Sequence, residues 1–339
     1  MVRRRRRGER RLPFGLVRAV VCAELGPPED LLIEERPAEP CPAGSVRVAV
    51  RACGLNFVDA LFVQGLYQIK PSPPFTPGAE LAGEVTEVGD DVSGVALGDR
   101  VLASIGLGAF RDEVVLRADQ AIAIPAGIDF GRAATIGQSY CTGLFALRDR
   151  ARLQAGQTLL VLGAGGGVGL AAVDIGRALG ARVIAAASSA EKLAACRELG
   201  ADATIDYTTE SLKDRARELS GGGVDVVYDP VGGALSEQAL RALGFDGQLV
   251  VIGFASGEIP RLPANQVLLR NRRVTGVDWG AWAMSEPEAG RALLDEVLAG
   301  VAAGTYRPIA PVSYALDDVA RAMRDLLERR VTGKAVLVP

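Results

Sequence analysis

The sequence predicts an α/β fold in which a mainly β lobe is interrupted by a doubly wound parallel-sheet domain. From about Ala19 to Ala121, short β-rich runs alternate with turns that contain Gly, Pro and Asp. From about Thr142, strand-like and helical segments alternate, as they do in repeated βα units. This alternation stops near Thr275, and the chain ends on a predicted strand, Ala335–Val338. We therefore expect the parallel-sheet domain to be inserted within the β lobe.

The β lobe is predicted from short runs of β-favouring residues that are bounded by turn signals. The predicted strands are Val46–Val50, Leu81–Val88, Arg100–Ile105 and Glu113–Leu116. A set of short strands separated in this way favours a mainly antiparallel, barrel-like arrangement.

The parallel-sheet domain begins with Thr158–Leu162, an apolar run typical of a strand that is buried on both faces. The predicted helices and strands then alternate as Val168–Leu179, Arg182–Ala187, Glu191–Leu199, Ala203–Asp206, Ser211–Leu219, Val224–Asp229, Ser236–Leu243 and Gln248–Gly253. Two further helices are predicted at Pro287–Ala303 and Asp317–Arg329. We predict one domain from residues 17–140 and 275–339, an inserted nucleotide domain at 141–274, and a disordered extension at 1–16.

Composition excludes several kinds of chemistry. The chain of 339 residues contains no histidine, which removes serine–histidine and cysteine–histidine nucleophile pairs and the commonest transition-metal ligand. The formal net charge of −3 argues against nucleic acid as the main partner, and the run Arg3–Arg7 is the one basic stretch. No apolar run approaches the roughly 20 residues that span a bilayer. Five scattered cysteines without a CxxC pair fit the reducing cytoplasm, where we expect the protein.

A glycine-rich turn is the strongest functional motif. The predicted strand Thr158–Leu162 runs into GAGGGVG, residues 163–169, and then into a helix. Glycines allow a sharp turn, a close backbone approach to a pyrophosphate and close packing of helix on strand. The helix amino terminus offers N–H donors and a positive dipole to the phosphates. We expect Gly166, Gly167 and Val168 to bind a dinucleotide.

The end of the second strand predicts which dinucleotide binds. NAD-binding domains place Asp or Glu there to hold the ribose 2′-hydroxyl. Here the strand is followed by Ser188 and Ser189, with Lys192 just beyond. Hydroxyls and an ammonium suit a 2′-phosphate, so the pattern favours NADPH. Ser188 and Glu191 also fit a helix capping box, and both interpretations can hold at once.

These motifs resemble the medium-chain dehydrogenase/reductase superfamily, and specifically its zinc-free quinone oxidoreductase branch. The resemblance covers about Val17 to Pro339, in the segments RACGLNFVDALFVQGLY, FTPGAELAGEV, the glycine turn, ASSAEK, DPVGG and RRVTGKAVLVP. It implies a GroES-like catalytic lobe, an inserted Rossmann domain and a homodimer. Zinc-containing relatives carry a cysteine where this chain has Asn56 and a histidine where it has Ala79. Neither replacement can ligate zinc, so no metal is expected.

The resemblance also implies further site residues. Lys192, Tyr207 and Arg329 match the pocket for the 2′-phosphate, with Arg330 as an alternative to Arg329. Thr142 matches a residue near the nicotinamide, and Phe254 lies in a loop that commonly touches the cofactor. Ordinary structural roles remain open for each of them: a tyrosine at a strand end, for example, or arginines at a helix terminus.

The resemblance also implies that Asn56 and Tyr67 are the catalytic residues, since Asn56 lies in the loop that holds zinc in metal-dependent relatives and Tyr67 resembles a substrate-pocket tyrosine. The amide of Asn56 can donate a hydrogen bond to a quinone or enone oxygen, which polarises the carbonyl less strongly than a metal ion does. Tyr67 can stack on a flat acceptor or donate its hydroxyl, and ordinary turn or loop roles remain open for both residues. Three functions therefore compete: NADPH:quinone reduction, NADPH-dependent reduction of an activated C=C bond, and low-turnover NADPH or nucleic-acid binding.

Overall fold

The computed structural model describes residues 15–339 and consists of two lobes that are joined by a shared hydrophobic cluster. The catalytic lobe begins with the strands and helices β1 (Leu16–Val21), β2 (Leu32–Pro37), β3 (Ser45–Leu55), α1 (Phe57–Val63), β4 (Glu80–Val88), β5 (Arg100–Ser104), β6 (Glu113–Arg117), β7 (Ile122–Ala123) and α2 (Phe130–Leu144). A π-helical segment, Phe145–Arg150, continues α2 toward the second lobe. The predicted extension at 1–16 lies outside the described residues, except that Leu16 already belongs to β1.

The nucleotide lobe follows as an alternation of strands and helices. Its elements are β8 (Thr158–Val161), α3 (Gly167–Ala178), β9 (Arg182–Ala187), α4 (Ala190–Glu198), β10 (Ala203–Asp206), α5 (Leu212–Leu219), β11 (Val224–Asp229), α6 (Gly233–Ala242), β12 (Leu243–Val251), α7 (Ala264–Leu268) and β13 (Arg273–Gly276). All neighbouring strands are parallel, in the order β10-β9-β8-β11-β12-β13. In chain order this is 3-2-1-4-5-6, the doubly wound order that binds dinucleotides where the strand order reverses, between β8 and β11.

The chain then returns to the catalytic lobe. The last elements are α8 (Trp279–Ser285), α9 (Pro287–Ala302), β14 (Val312–Ala315), α10 (Val319–Leu327) and β15 (Ala335–Val338). β15 pairs antiparallel with β3, placing Ala335 opposite Leu55, so the nucleotide lobe is an insertion as predicted. The seven-stranded sheet of this lobe has the order β14-β15-β3-β4-β5-β7, with β6 also paired to β3.

Two predicted domain boundaries fall inside regular elements. The boundary at 140/141 lies within α2, and the boundary at 274/275 lies within β13, the sixth strand of the parallel sheet. One hydrophobic cluster runs from Leu102 through Ile136 and Leu144 to Leu159 and Leu293, so α2 is packed against both lobes. No helix within residues 15–339 is long and apolar enough to cross a membrane.

Candidate functional site

The glycine turn lies at the carboxyl end of β8, where it opens α3. Gly163 has a φ of +55°, which favours glycine, and Gly166 is the N-cap of α3. A Cβ at Gly169 would overlap the carbonyl oxygen of Gly163, so only glycine lets α3 approach the strand this closely. The N–H groups of Gly167 and Val168 belong to the first turn of α3, where the helix itself supplies no acceptor. These N–H donors and the helix dipole fit a bound pyrophosphate.

Two lysine side chains pass over the glycine turn. A Cβ at Gly165 would lie 2.5 Å from the Cβ of Lys192, and a Cβ at Gly167 would overlap the Cδ of Lys334. The turn is therefore bare backbone covered by two flexible cationic side chains. Such a cradle is suited to an anionic ligand, because the lysine stems can move while the backbone donors stay fixed.

The end of β9 supports the predicted 2′-phosphate pocket and corrects one detail of it. The N-cap of α4 is Ser189, whose Oγ accepts from the N–H of Lys192 at 3.3 Å, so the predicted capping role of Ser188 is wrong. Within residues 15–339 the Ser188 hydroxyl has no hydrogen-bond partner and remains available. Tyr207 follows β10 and donates its N–H to Ala187 at 3.3 Å, which places it beside the same strand end.

The segment Arg329–Lys334 of the catalytic lobe completes this pocket. The N–H of Gly333 donates to the carbonyl of Gly165 at 2.8 Å, and Lys192 Nζ donates to the carbonyl of Arg329 at 2.5 Å. The guanidinium of Arg330 is held by Asp325 and Glu328, whereas that of Arg329 has no carboxylate within 4 Å in residues 15–339. Arg329 rather than Arg330 is thus the arginine that is free to meet a ligand.

The two free cations of this pocket influence each other. The pKa of Lys192 is lowered, first by partial burial and then by the neighbouring charge of Arg329. No carboxylate forms an ion pair with either side chain in residues 15–339, and the charge of Glu191 offsets these effects on Lys192 only in part, so the pocket keeps an excess of positive charge. A phosphate group is the ligand that such a pair of cations favours.

Asn56 lies at the start of α1 and is 8% exposed. Its Nδ2 donates to Glu80 Oε1 at 3.0 Å, and its Oδ1 accepts from Lys334 Nζ. The side chain of Asn56 therefore forms no cap hydrogen bond with the first turn of α1. The backbone N–H of Asn56 instead donates to Oδ2 of Asp59 at 2.8 Å.

Glu80 organises this end of the site, although the sequence did not identify it as a functional residue. It is 3% exposed, and its carboxylate accepts from Asn56, from Lys334 at 3.0 Å and from the backbone N–H of Gln138 at 3.0 Å. Neither Lys334 nor Gln138 was expected at the site. Both residues contact Glu80 from distant positions in the sequence, so no sequence motif could predict these contacts.

The fully buried Asp59 lies beneath Asn56. Burial raises the pKa of Asp59 to about 7, against partial compensation by the N–H of Asn56 and the charge of Lys334. Its Oδ1 has no hydrogen-bond partner in the described part of the chain. A carboxyl group in this position is readily protonated near neutral pH.

Two further predicted residues, Thr142 and Phe254, lie on separate elements. Thr142 lies on α2, one turn beyond Gln138, whose Oε1 is buried without a partner in residues 15–339. Phe254 lies after β12 and contacts Gly232, whose neighbour Val231 contacts Gly163, so all three loops share the carboxyl edge of the sheet. The two residues predicted to lie near the nicotinamide therefore stand on different elements, Thr142 on α2 and Phe254 in the segment after β12.

Tyr67 lies in the segment that follows α1 in the catalytic lobe. Its ring packs edge-on against Phe62, with 5.1 Å between ring centroids. Its pKa is raised by burial and then by the charge of Asp278, the N-cap of α8. Within residues 15–339 no hydrogen bond joins Tyr67 to Asn56 or to the glycine turn, so its predicted role remains a prediction.

Comparison with known proteins establishes the family. The alcohol dehydrogenase GroES-like domain matches residues 42–126, and the zinc-binding dehydrogenase domain matches residues 167–297. The quinone oxidoreductase-like protein 2 homolog of Nematostella vectensis is 42% identical over 98% of this chain and 93% of its own. The chain belongs to the quinone oxidoreductase branch of the medium-chain dehydrogenase/reductase superfamily. The predicted resemblance is thereby confirmed.

Solved structures of this superfamily agree with the fold. The Escherichia coli quinone oxidoreductase complexed with NADPH is 31% identical, with a TM-score of 0.86 over 95% of this chain and 100% of that one. The CurK enoyl reductase is 26% identical, with a TM-score of 0.84 over 95% of this chain and 99% of that one. The GroES-like lobe and the inserted Rossmann domain are therefore confirmed for this quinone oxidoreductase family member.

The second matched domain carries a zinc-binding description, which the side chains of residues 15–339 do not fit. Among residues 15–339 no group of three or more His, Cys, Asp or Glu side chains is arranged to hold a metal. The carboxylate of Glu80 is already engaged by Asn56, Lys334 and Gln138. The relevant pocket contains an amide, an ammonium and one carboxylate, a donor set that does not suit zinc.

Proposed function

We propose that this chain is a zinc-independent NADPH reductase that transfers hydride to quinones. The observation that carries the proposal is the pair of free cations, Lys192 and Arg329, which meet beside the end of β9. An NAD-specific domain would place an acidic residue there. The NADPH in the E. coli quinone oxidoreductase structure supports the same choice of coenzyme.

The protein supplies position and electrostatics for this reaction. NADPH, when bound, supplies the hydride. The N–H groups of Gly167 and Val168 would hold its pyrophosphate, and Lys192 and Arg329 its 2′-phosphate. Asn56 Nδ2 has a second N–H beyond the one given to Glu80, and this N–H can donate to the acceptor oxygen. An amide polarises a carbonyl less than a metal does, so the acceptor must already be activated by conjugation.

The test is oxidation of NADPH by the purified protein with a panel of quinones and enones. Lys192→Ala is expected to raise the KM for NADPH about tenfold or more, and to leave the KM for NADH nearly unchanged. Lys213→Ala is the matched control, because Lys213 is an exposed lysine paired with Asp214 on the following helix. An equal effect of Lys192→Ala on both coenzymes would contradict the phosphate role.

A second candidate is reduction of an activated C=C bond, such as that of an enone. The likeness to the CurK enoyl reductase favours it, and the same hydride chemistry serves both acceptors. The acceptor panel separates the two functions. A kcat/KM for enones that exceeds that for every quinone would replace the first proposal by the second.

We also propose that the protein is a homodimer that associates through β13. This strand is the last in the parallel sheet and has one unpaired edge. Exposed apolar side chains accompany it: Val274 on the strand, Leu268 and Leu269 before it, and Phe245 on β12 beside it. An apolar sheet edge of this kind is suited to pairing with a second copy.

A further inference from the structure

The side chain of Lys334 connects the glycine turn to the acceptor end of the site. Its stem lies against Gly167, and its Nζ lies 3.0 Å from Glu80 Oε1 and donates to Asn56 Oδ1. The side chain is only 13% exposed, and its carboxylate partner is 4% exposed. The burial of this ammonium requires an explanation, because the desolvation penalty of a buried ion pair offsets much of the attraction between its two charges.

The charges of Lys334 and Glu80 fix the orientation of the Asn56 amide. An ammonium only donates hydrogen bonds, so it must face Asn56 Oδ1. An ionised carboxylate only accepts, so it must face Asn56 Nδ2. The amide therefore cannot flip, and its second N–H points away from Glu80. Within residues 15–339 this N–H and the third N–H of Lys334 have no acceptor.

We propose that Lys334 is a catalytic residue, which together with Asn56 binds the oxygen of the acceptor. The proposal rests on the reductase function above. In the reaction, the hydride of NADPH forms a bond to the conjugated acceptor, the π electron pair of the carbonyl moves onto its oxygen, and NADP⁺ is left. A proton from solvent then neutralises that oxygen. Two converging donors, one of them charged, stabilise the developing negative charge more in the transition state than in the ground state.

The position of Glu80 strengthens this assignment. Its carboxylate lies beside the same amide, where it would repel a developing oxyanion if it were alone. The ammonium of Lys334 neutralises that charge and leaves a net attraction for the acceptor oxygen. Because the contacts of Nζ are to Asn56 and Glu80, its charge belongs to the acceptor end, although its stem lies against the turn.

Lys334→Met in the full chain tests the proposal, with Lys192→Met as the matched control, since both lysine stems lie against glycines of one turn. For Lys334→Met we expect kcat with a quinone to fall about 100-fold and the Kd for NADPH, from coenzyme fluorescence, to change less than about threefold. Lys192→Met should instead raise the Kd for NADPH, and Lys213→Met, at an exposed lysine outside the site, should change neither quantity. A raised Kd with an unchanged kcat in Lys334→Met would overturn the proposal and assign the ammonium to the pyrophosphate.

The double variant Glu80→Gln with Lys334→Met guards against a loss of folding, because it leaves no unpaired buried charge. Its kcat should stay low, since the ammonium is absent. Recovery of the wild-type kcat would show that Lys334 merely neutralises Glu80, and would overturn the proposal. If the wild-type protein reduces neither quinones nor enones, the reductase function fails instead.

A spectroscopic measurement gives an independent readout. 4-Nitrophenol has a coloured phenolate form and serves as a probe of the oxyanion site in the NADP⁺-bound protein. Bound to the wild type, it should ionise about one pH unit lower than in solution, a tenfold preference for the anion. The Lys334→Met variant should lose this shift. An equal shift in both proteins would contradict a role for Lys334 at the acceptor oxygen.

Discussion

At the scale of single residues, Arg329 combines backbone strain with an unpaired charge. Its φ is +60°, in the left-handed region that glycine normally occupies after a helix, and α10 ends two residues earlier. Such strain costs about 1 kcal/mol or more and persists where function requires the side chain. The sequence pattern of the helix end would otherwise predict glycine at this position.

Arg329→Gly should therefore separate stability from binding. We expect the free energy of unfolding to stay constant or rise by up to about 1 kcal/mol, and NADPH affinity to fall about tenfold because one phosphate ligand is lost. Urea denaturation and coenzyme fluorescence measure the two quantities. Arg330→Ala is the control, because its guanidinium is already held by Asp325 and Glu328. Unchanged affinity in Arg329→Gly would remove the arginine from the pocket.

The buried Asp59 makes stability depend on pH. Its pKa is about 7 in the folded protein and near 3.8 in the unfolded chain. Between these values the folded state holds a proton that the unfolded chain has released. Stability from this group therefore falls as pH rises from about 4 to about 7, by up to about 4 kcal/mol, and stays low above that.

Asp59→Asn is expected to abolish this dependence. The amide keeps an acceptor oxygen for the N–H of Asn56 and cannot ionise. The variant should match the wild type near pH 4, where the carboxyl of Asp59 is protonated, and exceed it at pH 8. Denaturation midpoints over this range test the prediction. A constant difference between the two proteins at every pH would show that Asp59 does not titrate during folding.

Some site residues could be predicted from local sequence and others could not. Lys192 was indicated by its place just beyond the second strand of the parallel sheet, and Asn56 by the family resemblance of the short motif around it. Lys334 and Glu80 depend on contacts between residues 254 positions apart, which only the fold reveals. The sequence predicted Ser188 as the N-cap of α4, but the N-cap is Ser189, because either of two adjacent serines fits the capping pattern.

At the scale of elements, the glycine turn contains one glycine that close packing requires and one glycine that has open space around it. A Cβ at Gly169 would overlap the carbonyl of Gly163 and lie 2.8 Å from the Cα of Ala164, both of them rigid backbone. A Cβ at Gly166 would find its nearest atom 3.5 Å away, an ordinary contact. The first glycine is therefore required by packing, whereas the second is not, and we propose that the second is required for coenzyme binding.

Two alanine variants test this division. Gly169→Ala should lower the free energy of unfolding by about 1–3 kcal/mol, because strand and helix must separate. Gly166→Ala should fold with wild-type stability and bind NADPH more weakly, since its methyl group occupies the path of the pyrophosphate. Thermal melting and fluorescence titration give the two readouts. Full NADPH affinity in Gly166→Ala would move the pyrophosphate away from this turn.

The regular elements were predicted unevenly, for a physical reason. The strands and helices of the parallel sheet have clear apolar periodicity, and α3 begins one residue from its predicted start. In contrast, α2 was missed because it contains Gly131, Gly137 and Gly143, which disfavour a helix. These glycines permit close contacts: a Cβ at Gly137 would lie 3.0 Å from Ser104 Oγ, and one at Gly143 would lie 2.8 Å from Ile175. Tertiary packing, not propensity, forms this helix.

At the scale of the whole molecule, the coenzyme pocket needs both lobes. The bridge between Gly166 and Gly333, in which the N–H of Gly333 donates to the carbonyl of Gly165, joins the end of the chain to the glycine turn of the inserted domain. Lys192 and Arg329 come from different lobes but from one chain. We therefore expect coenzyme binding to depend on correct packing of the inserted domain against the catalytic lobe, with the proposed phosphate ligands supplied by one protomer.

The proposed dimer through β13 has a direct test with a matched control. Val274 on β13 and Val312 on β14 are exposed valines on edge strands of the two sheets, at 42% and 41%. Only Val274 has exposed Leu268, Leu269 and Phe245 in its surroundings. Val274→Lys places a charge on the apolar edge, where a two-fold axis would bring it against its own copy.

Sedimentation velocity should show a dimer for the wild type and for Val312→Lys, and a monomer for Val274→Lys. The monomer should keep its NADPH affinity, because Gly167, Lys192 and Arg329 belong to one protomer. The β13 interface would be wrong if Val274→Lys remained dimeric while Val312→Lys dissociated. Lost coenzyme binding in a well-folded Val274→Lys monomer would instead show that the partner protomer supports the pocket, against the single-chain geometry of Lys192 and Arg329.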